Sequence, residues 1–205
     1  MNGAGGRPTT RRELIRAGLG AATSAGAAAG GSFTLSTGAA VAAARSDDDR
    51  LVLILGTELL AQFVYDHVLA THLMSENAQT AAARMLSQER EHIRRITAEL
   101  ETRGGTPPQR ITSVTEANAV LVVRGVTKRL TTLRTERDCI TLLAEVESLL
   151  EGAYFRAIPK LSNPGLVLLC AEVMASESQH FAVLNELTRP GNVQKAVPGP
   201  YVRGS

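Results

Sequence analysis

The chain has 205 residues, of which 44% are hydrophobic and 20% charged, a globular rather than a disordered composition. Its two Cys are too few for a disulfide framework or a four-Cys zinc site. Residues 1–44 hold four Arg against one Glu, so the rest balances 18 basic against 19 acidic residues, and a body this near neutral argues against a nucleic-acid partner.

Thr10-Arg11-Arg12-Glu13-Leu14-Ile15-Arg16 sets an Arg pair ahead of an acid-free run of mostly Ala, Gly, Ser and Thr. That run ends in Val41-Ala42-Ala43-Ala44, small residues of the kind a signal peptidase accepts. It is poor in Leu, Ile, Val and Phe, unlike an ordinary membrane-spanning helix. Residues 1–44 resemble a twin-arginine signal peptide, which implies the twin-arginine export machinery as a partner. The destination would be the periplasm, the cell envelope or the medium. A disordered Ala/Gly tail and an uncleaved membrane anchor are the alternatives. Residues 45–50, with Asp47-Asp48-Asp49, read as a solvated linker.

Residues 51–189 read as an all-α bundle of four long helices. From Leu51 to Met74, apolar residues recur at helical spacing with no Pro or Gly after Gly56. A second run spans Ala78 to Arg103 and stops at Gly104-Gly105 and Pro107-Pro108. Residues 104–134 form one long connection, with a helical piece expected over 115–129. A third helix covers 135–158 and ends at Pro159. The fourth follows Asn163-Pro164, a cap with Pro in the first turn, and runs to Leu187. Residues 190–205 are expected to be a flexible tail. Short links make hairpins of helices 1–2 and 3–4, and the central connection is long enough to cross the whole bundle.

Polar residues interrupt the apolar face of each helix in a repeating pattern. Helix 1 carries Glu58 and Tyr65, and helix 3 carries Glu147 and Tyr154, with the same seven-residue spacing. Helices 2 and 4 each carry Glu-x-x-His, as Glu89 with His92 and as Glu177 with His180. Residues three apart on a helix share a face, so each such pair can reach one ion. Four core carboxylates are costly without compensating charge, and two divalent cations would supply it. Four carboxylates with two imidazoles suit iron or manganese, and the donor types alone do not choose between them.

On Glu58 with Tyr65, Gln88-Glu89-Arg90-Glu91-His92, Glu147 with Tyr154, and Glu177-Ser178-Gln179-His180, the chain resembles the ferritin-like superfamily, in particular its exported bacterial members. The resemblance implies a four-helix bundle with one long crossover between helices 2 and 3, holding two iron ions. Glu58 and Glu147 would be terminal ligands, Glu89 and Glu177 would bridge, and His92 and His180 would each add a nitrogen. The expected chemistry is Fe(II) oxidation, or consumption of oxygen or peroxide. A non-enzymatic metal-binding or envelope stress protein and a metal-free interaction bundle stand as alternatives. Homo-oligomerisation is left open.

Tyr65 and Tyr154 could hydrogen-bond ligand carboxylates, carry an electron, or simply be core aromatics with satisfied hydroxyls. Glu151, one turn beyond Glu147, reads as a solvated acid or an extra ligand. Glu145 is expected in solvent, His67 exposed, and His72 inward but too far along helix 1 to join the site. Cys139 and Cys170 lie eight and seven residues before Glu147 and Glu177 on antiparallel helices. Their expected separation, roughly 20 Å at about 1.5 Å per residue, leaves both thiols free.

Overall fold

The computed structural model describes residues 35–192, with side chains from residue 47. The bundle lies in the part of the chain from Thr37 onward. Of the expected signal segment 1–44, residues 1–34 lie outside the described residues and 35–44 are helical; of the expected tail 190–205, residues 193–205 lie outside them. The helices are α1 (Leu35–Ala70), α2 (Glu76–Thr102), α3 (Val114–Val123), α4 (Glu136–Ala157) and α5 (Pro164–Thr188), with 3-10 turns at Leu130–Thr132 and Ile158–Lys160. No strand occurs among the described residues.

The caps are those the side chains favour. Asn163 Oδ1 accepts from Gly165 N and Leu166 N at 2.8 and 3.3 Å, with Pro164 opening α5. Thr135 accepts from Asp138 N at the start of α4, and Ser113 from Glu116 N at the start of α3. The piece expected over 115–129 ends earlier, because the chain turns at Gly125, whose φ of 81° suits glycine alone.

Two boundaries differ from expectation. The region read as linker is helical and continuous with α1. Asp47 is buried and accepts from Ser162 N at 2.9 Å and Asn163 N at 3.1 Å, tying α1 to the α4–α5 turn. At its other end α1 stops at Ala70 rather than Met74. Thr71 Oγ1 donates to Val68 O at 2.7 Å and accepts from Leu73 N, replacing the helical bonds there. His72 then takes a φ of 54° and is exposed, not inward.

Polar contacts fix the helix directions. Arg103, at the end of α2, pairs at 2.6 Å with Asp48, in the N-terminal half of α1. Glu136, opening α4, accepts from Ser75 N at the α1–α2 turn at 2.5 Å. The connection from 103 to 135 therefore runs the length of the bundle, as the one-crossover topology requires. Glu145, expected in solvent, clamps this crossover: it accepts from Thr127 N at 2.8 Å, Lys128 N at 3.2 Å and the Thr127 hydroxyl.

The core is aliphatic, built from residues such as Leu51, Ile54, Leu55, Ile96, Leu100, Leu142 and Leu143, with Tyr65 and Tyr154 fully enclosed. Burying each large side chain contributes about 1.5–3 kcal/mol. Among the described residues, Asp47–Ala70 is one helix long and apolar enough to cross a membrane. In the structure it supplies much of the bundle core.

Candidate metal centre

The stripe residues of α1, α2, α4 and α5 meet at one level of the bundle. Glu58, Glu89, Glu147 and Glu177 are wholly buried, and His92 and His180 nearly so. Tyr65 donates to Glu147 Oε1, and Tyr154 donates to Glu58 Oε1. Each tyrosine thus holds the glutamate of the other hairpin. The crossed pairing also shows that α1 and α4 run antiparallel.

Around the imidazoles the geometry repeats. His92 Nδ1 lies 2.8 Å from Glu177 Oε1, 3.7 Å from Glu89 Oε2 and 4.0 Å from Glu58 Oε2. His180 Nδ1 lies 3.0 Å from Glu89 Oε1, 3.3 Å from Glu177 Oε2 and 3.5 Å from Glu147 Oε2. Glu89 and Glu177 therefore turn one oxygen toward each imidazole. The ring centroids stand 6.2 Å apart.

Two donor sets result, Glu58/Glu89/His92/Glu177 and Glu89/Glu147/Glu177/His180. Within each, the four donor atoms lie no more than 4.8 Å from one another, so each set could hold a metal ion. One oxygen of Glu58, one of Glu147, both of Glu89 and Glu177, and Nδ1 of both histidines are buried and crowd together, yet none has a partner aligned for a hydrogen bond. Buried donors and acceptors are otherwise almost always satisfied. Eight orphaned atoms in two groups of four, hard oxygens with imidazole nitrogens, fit two divalent cations.

The metal-free electrostatics show the same need. Burial, reinforced by neighbouring carboxylates, pushes Glu58 and Glu177 well above the usual carboxylate range. Burial also opposes ionisation of Glu89, but the nearby His180 and His92 imidazoles outweigh it and hold Glu89 at about 2. Burial would lower His180, yet its contacts with Glu147, Glu177 and Glu89 raise it to about 12. Without cations the cluster retains protons in their place. Burial keeps both tyrosine hydroxyls protonated and so able to donate.

All six expected site residues come together, and both tyrosines bond carboxylates within the cluster. Glu151 is buried, not solvated. Burial raises its pKa, one of its oxygens is also buried without a partner, and it belongs to neither donor set. His67 is half-buried. Cys139 and Cys170 are free and buried, Cys139 beside Thr71 and Cys170 toward Asp47, at opposite ends of the bundle.

The sequence reading missed two contacts. His180 Nε2 donates to Gln88 Oε1 at 2.6 Å, and the Tyr65 hydroxyl lies 3.5 Å from Met85 Sδ. Gln88 precedes Glu89 and points beside the stripe, so helical spacing alone did not single it out.

The profile of the ferritin-like domain family matches residues 46–190. None of the curated proteins matches the chain. Among solved structures, a conserved hypothetical protein, rv2844, from Mycobacterium tuberculosis superposes with a TM-score of 0.58 at 15% identity, covering 70% of this chain and 97% of that one. At that identity the likeness concerns the fold. With the family profile spanning the whole bundle and its buried Glu/His cluster, the chain belongs to the ferritin-like domain family.

Proposed function

We propose that the protein holds two iron ions at a carboxylate-bridged centre and uses them to oxidise Fe(II) or to consume oxygen or peroxide. The supporting observation is the set of eight unsatisfied buried donor atoms, divided into two groups of four that share Glu89 and Glu177. In this reading Glu58 and His92 complete one position, Glu147 and His180 the other, and the two shared carboxylates bridge.

A pair of ferrous ions, when bound, supplies electrons to oxygen or peroxide. The chain's own groups set the conditions for that chemistry. Tyr65 and Tyr154 occupy the outer oxygens of Glu147 and Glu58, which leaves the inner oxygen of each facing the cluster. Gln88 accepts the Nε2 proton of His180, orienting the ring with Nδ1 inward. The surrounding aliphatic core excludes water, so charge interactions inside remain strong.

Export by the twin-arginine route is part of the proposal, supported by Arg11-Arg12 and the small-residue run to Ala44. Anaerobic loading with Fe(II) followed by oxygen admission tests the redox reading. Oxygen uptake that scales with bound iron is expected. Iron bound without any uptake of oxygen or peroxide would reduce the protein to a metal-binding bundle.

A further inference from the structure

Four bases line one cleft on the outside of the bundle. The cleft, about 340 Å³ in volume, lies between α1 and α4, and its lining includes Arg50, Arg124, Arg156 and Lys160 beside Leu53 and Ile54. Among the described residues no Asp or Glu lines it, and none of the six residues of the candidate metal centre does. Residues 45–205 balance 18 basic against 19 acidic residues, so four bases in one acid-free cleft are a local excess.

Helix ends explain three of these bases singly. Arg156 stands in the last turn of α4, Lys160 in the 3-10 turn that follows, and Arg124 caps α3, all positions where helix dipoles favour cations. Dipoles do not explain why these ends share one cleft with Arg50 of α1. Arg50 lies 3.6 Å from Asp47, but that carboxylate also accepts from Ser162 N and Asn163 N. The cleft therefore keeps a positive field, which its aliphatic wall concentrates.

We propose that this cleft binds a phosphate-bearing anion, either free or as a lipid headgroup. Three guanidinium forks and an ammonium offer more donors than the two oxygens of a carboxylate can accept, and phosphate suits both donor types. The volume falls in the range of small-molecule sites. Leu53, an exposed leucine on the cleft wall, offers apolar contact to the rest of the ligand. The chain's own ends do not supply the counter-charge. Residues 193–205 hold Lys195 and Arg203 with no acidic side chain, and residues 1–46 hold five Arg with one Glu.

Calorimetric titration of full-length protein with sodium pyrophosphate at low salt tests the cleft, beside co-sedimentation with phosphatidylglycerol and phosphatidylcholine vesicles. Saturable binding that weakens as salt rises is expected. Arg124 and Lys160 are exposed, so Arg124→Gln with Lys160→Gln should keep the fold and weaken binding about tenfold or more. Each single variant should show a smaller loss, which keeps the test open should the pair fail to fold. Arg90→Gln with Arg94→Gln removes the same charge elsewhere, from bases paired with Asp66 and Glu91 at 2.8 and 2.5 Å. That pair should bind as wild type does. Pyrophosphate binding lost in the cleft pair identifies a free phosphate compound. Binding confined to phosphatidylglycerol vesicles, and lost in the same pair, identifies a headgroup. Glu89→Ala should bind pyrophosphate as wild type does, and loss there would put the anion on the metal and overturn the cleft. Equal weakening by the two double variants, or no binding of either probe, would also overturn it.

Discussion

Tyr65 and Tyr154 illustrate how one hydroxyl can set the direction of a carboxylate. Each donates to an outer oxygen of the opposite hairpin's glutamate, and the inner oxygen is left for the cluster. Tyr65→Phe keeps the ring in the core but frees Glu147, so stepwise metal titration should show one position weakened about tenfold or more while the other is retained. Tyr154→Phe should weaken the position that contains Glu58. Equal weakening of both positions by either variant would contradict the crossed assignment. The protons retained by the cluster give a pH signature. In metal-free protein Glu58 and Glu177 are raised above 4.5, and His180 above 6.5 to about 12. The folded chain then binds more protons than the unfolded chain, so this contribution to stability falls as pH rises from about 4.5 upward. Glu89, lowered to about 2, acts in the opposite sense only below 4.5. The melting temperature of the metal-free protein should thus fall more steeply between pH 5.5 and 8 in wild type than in Glu58→Gln. Metal should stabilise more at pH 8, where fewer protons compete for the donors. A steeper slope in Glu58→Gln would contradict the proton assignment. Glu58, Glu89, His92, Glu147, Glu177 and His180 were legible because carboxylates on apolar stripes are costly and therefore conspicuous. Gln88 was not, since an amide beside a stripe carries no such cost.

Among the elements, the helices were legible and their ends less so. Apolar spacing found all four long helices, and Asn163-Pro164 marked the start of α5. Spacing could not show that Thr71 would replace helical bonds with its own hydroxyl, nor that the acidic run 47–49 would continue α1. Asp47 looks like a linker residue in sequence because the amides it serves lie on the chain at Ser162 and Asn163. Asp47→Ala leaves those donors without their acceptor and should cost about 1–3 kcal/mol. Thermal or urea unfolding would show this, with metal stoichiometry unchanged. A variant as stable as wild type would mean the α4–α5 turn does not depend on α1. The cysteines carry a second statement about elements. They sit at opposite ends of the bundle, and burial raises the Cys170 thiol to about 12. Mass spectrometry should count two free thiols, with Cys170 slow to alkylate until the chain unfolds. A Cys139–Cys170 disulfide would contradict the antiparallel α4–α5 arrangement.

For the whole molecule, topology followed from loop lengths: two short links, one long crossover, and a polar repeat that fixes which faces meet. The crossover's path was not readable in detail, because Glu145, Arg103 and Glu136 hold it through contacts distant in sequence. Export belongs to this scale as well. Replacing Arg11 and Arg12 together by Lys should leave the precursor in the cytoplasm, as fractionation and immunoblotting would show. Unchanged export of that variant would indicate a different route. The central claim is that Glu89 and Glu177 serve two ions at once, and metal-to-chain stoichiometry tests it most directly. Wild type loaded anaerobically with Fe(II) should hold about two ions per chain. Glu89→Ala and Glu177→Ala should each lower occupancy at both positions, whereas Glu58→Ala should spare the position of Glu147 and His180. Stoichiometry near zero in wild type, or full loss of one position with the other intact in Glu89→Ala, would contradict the account.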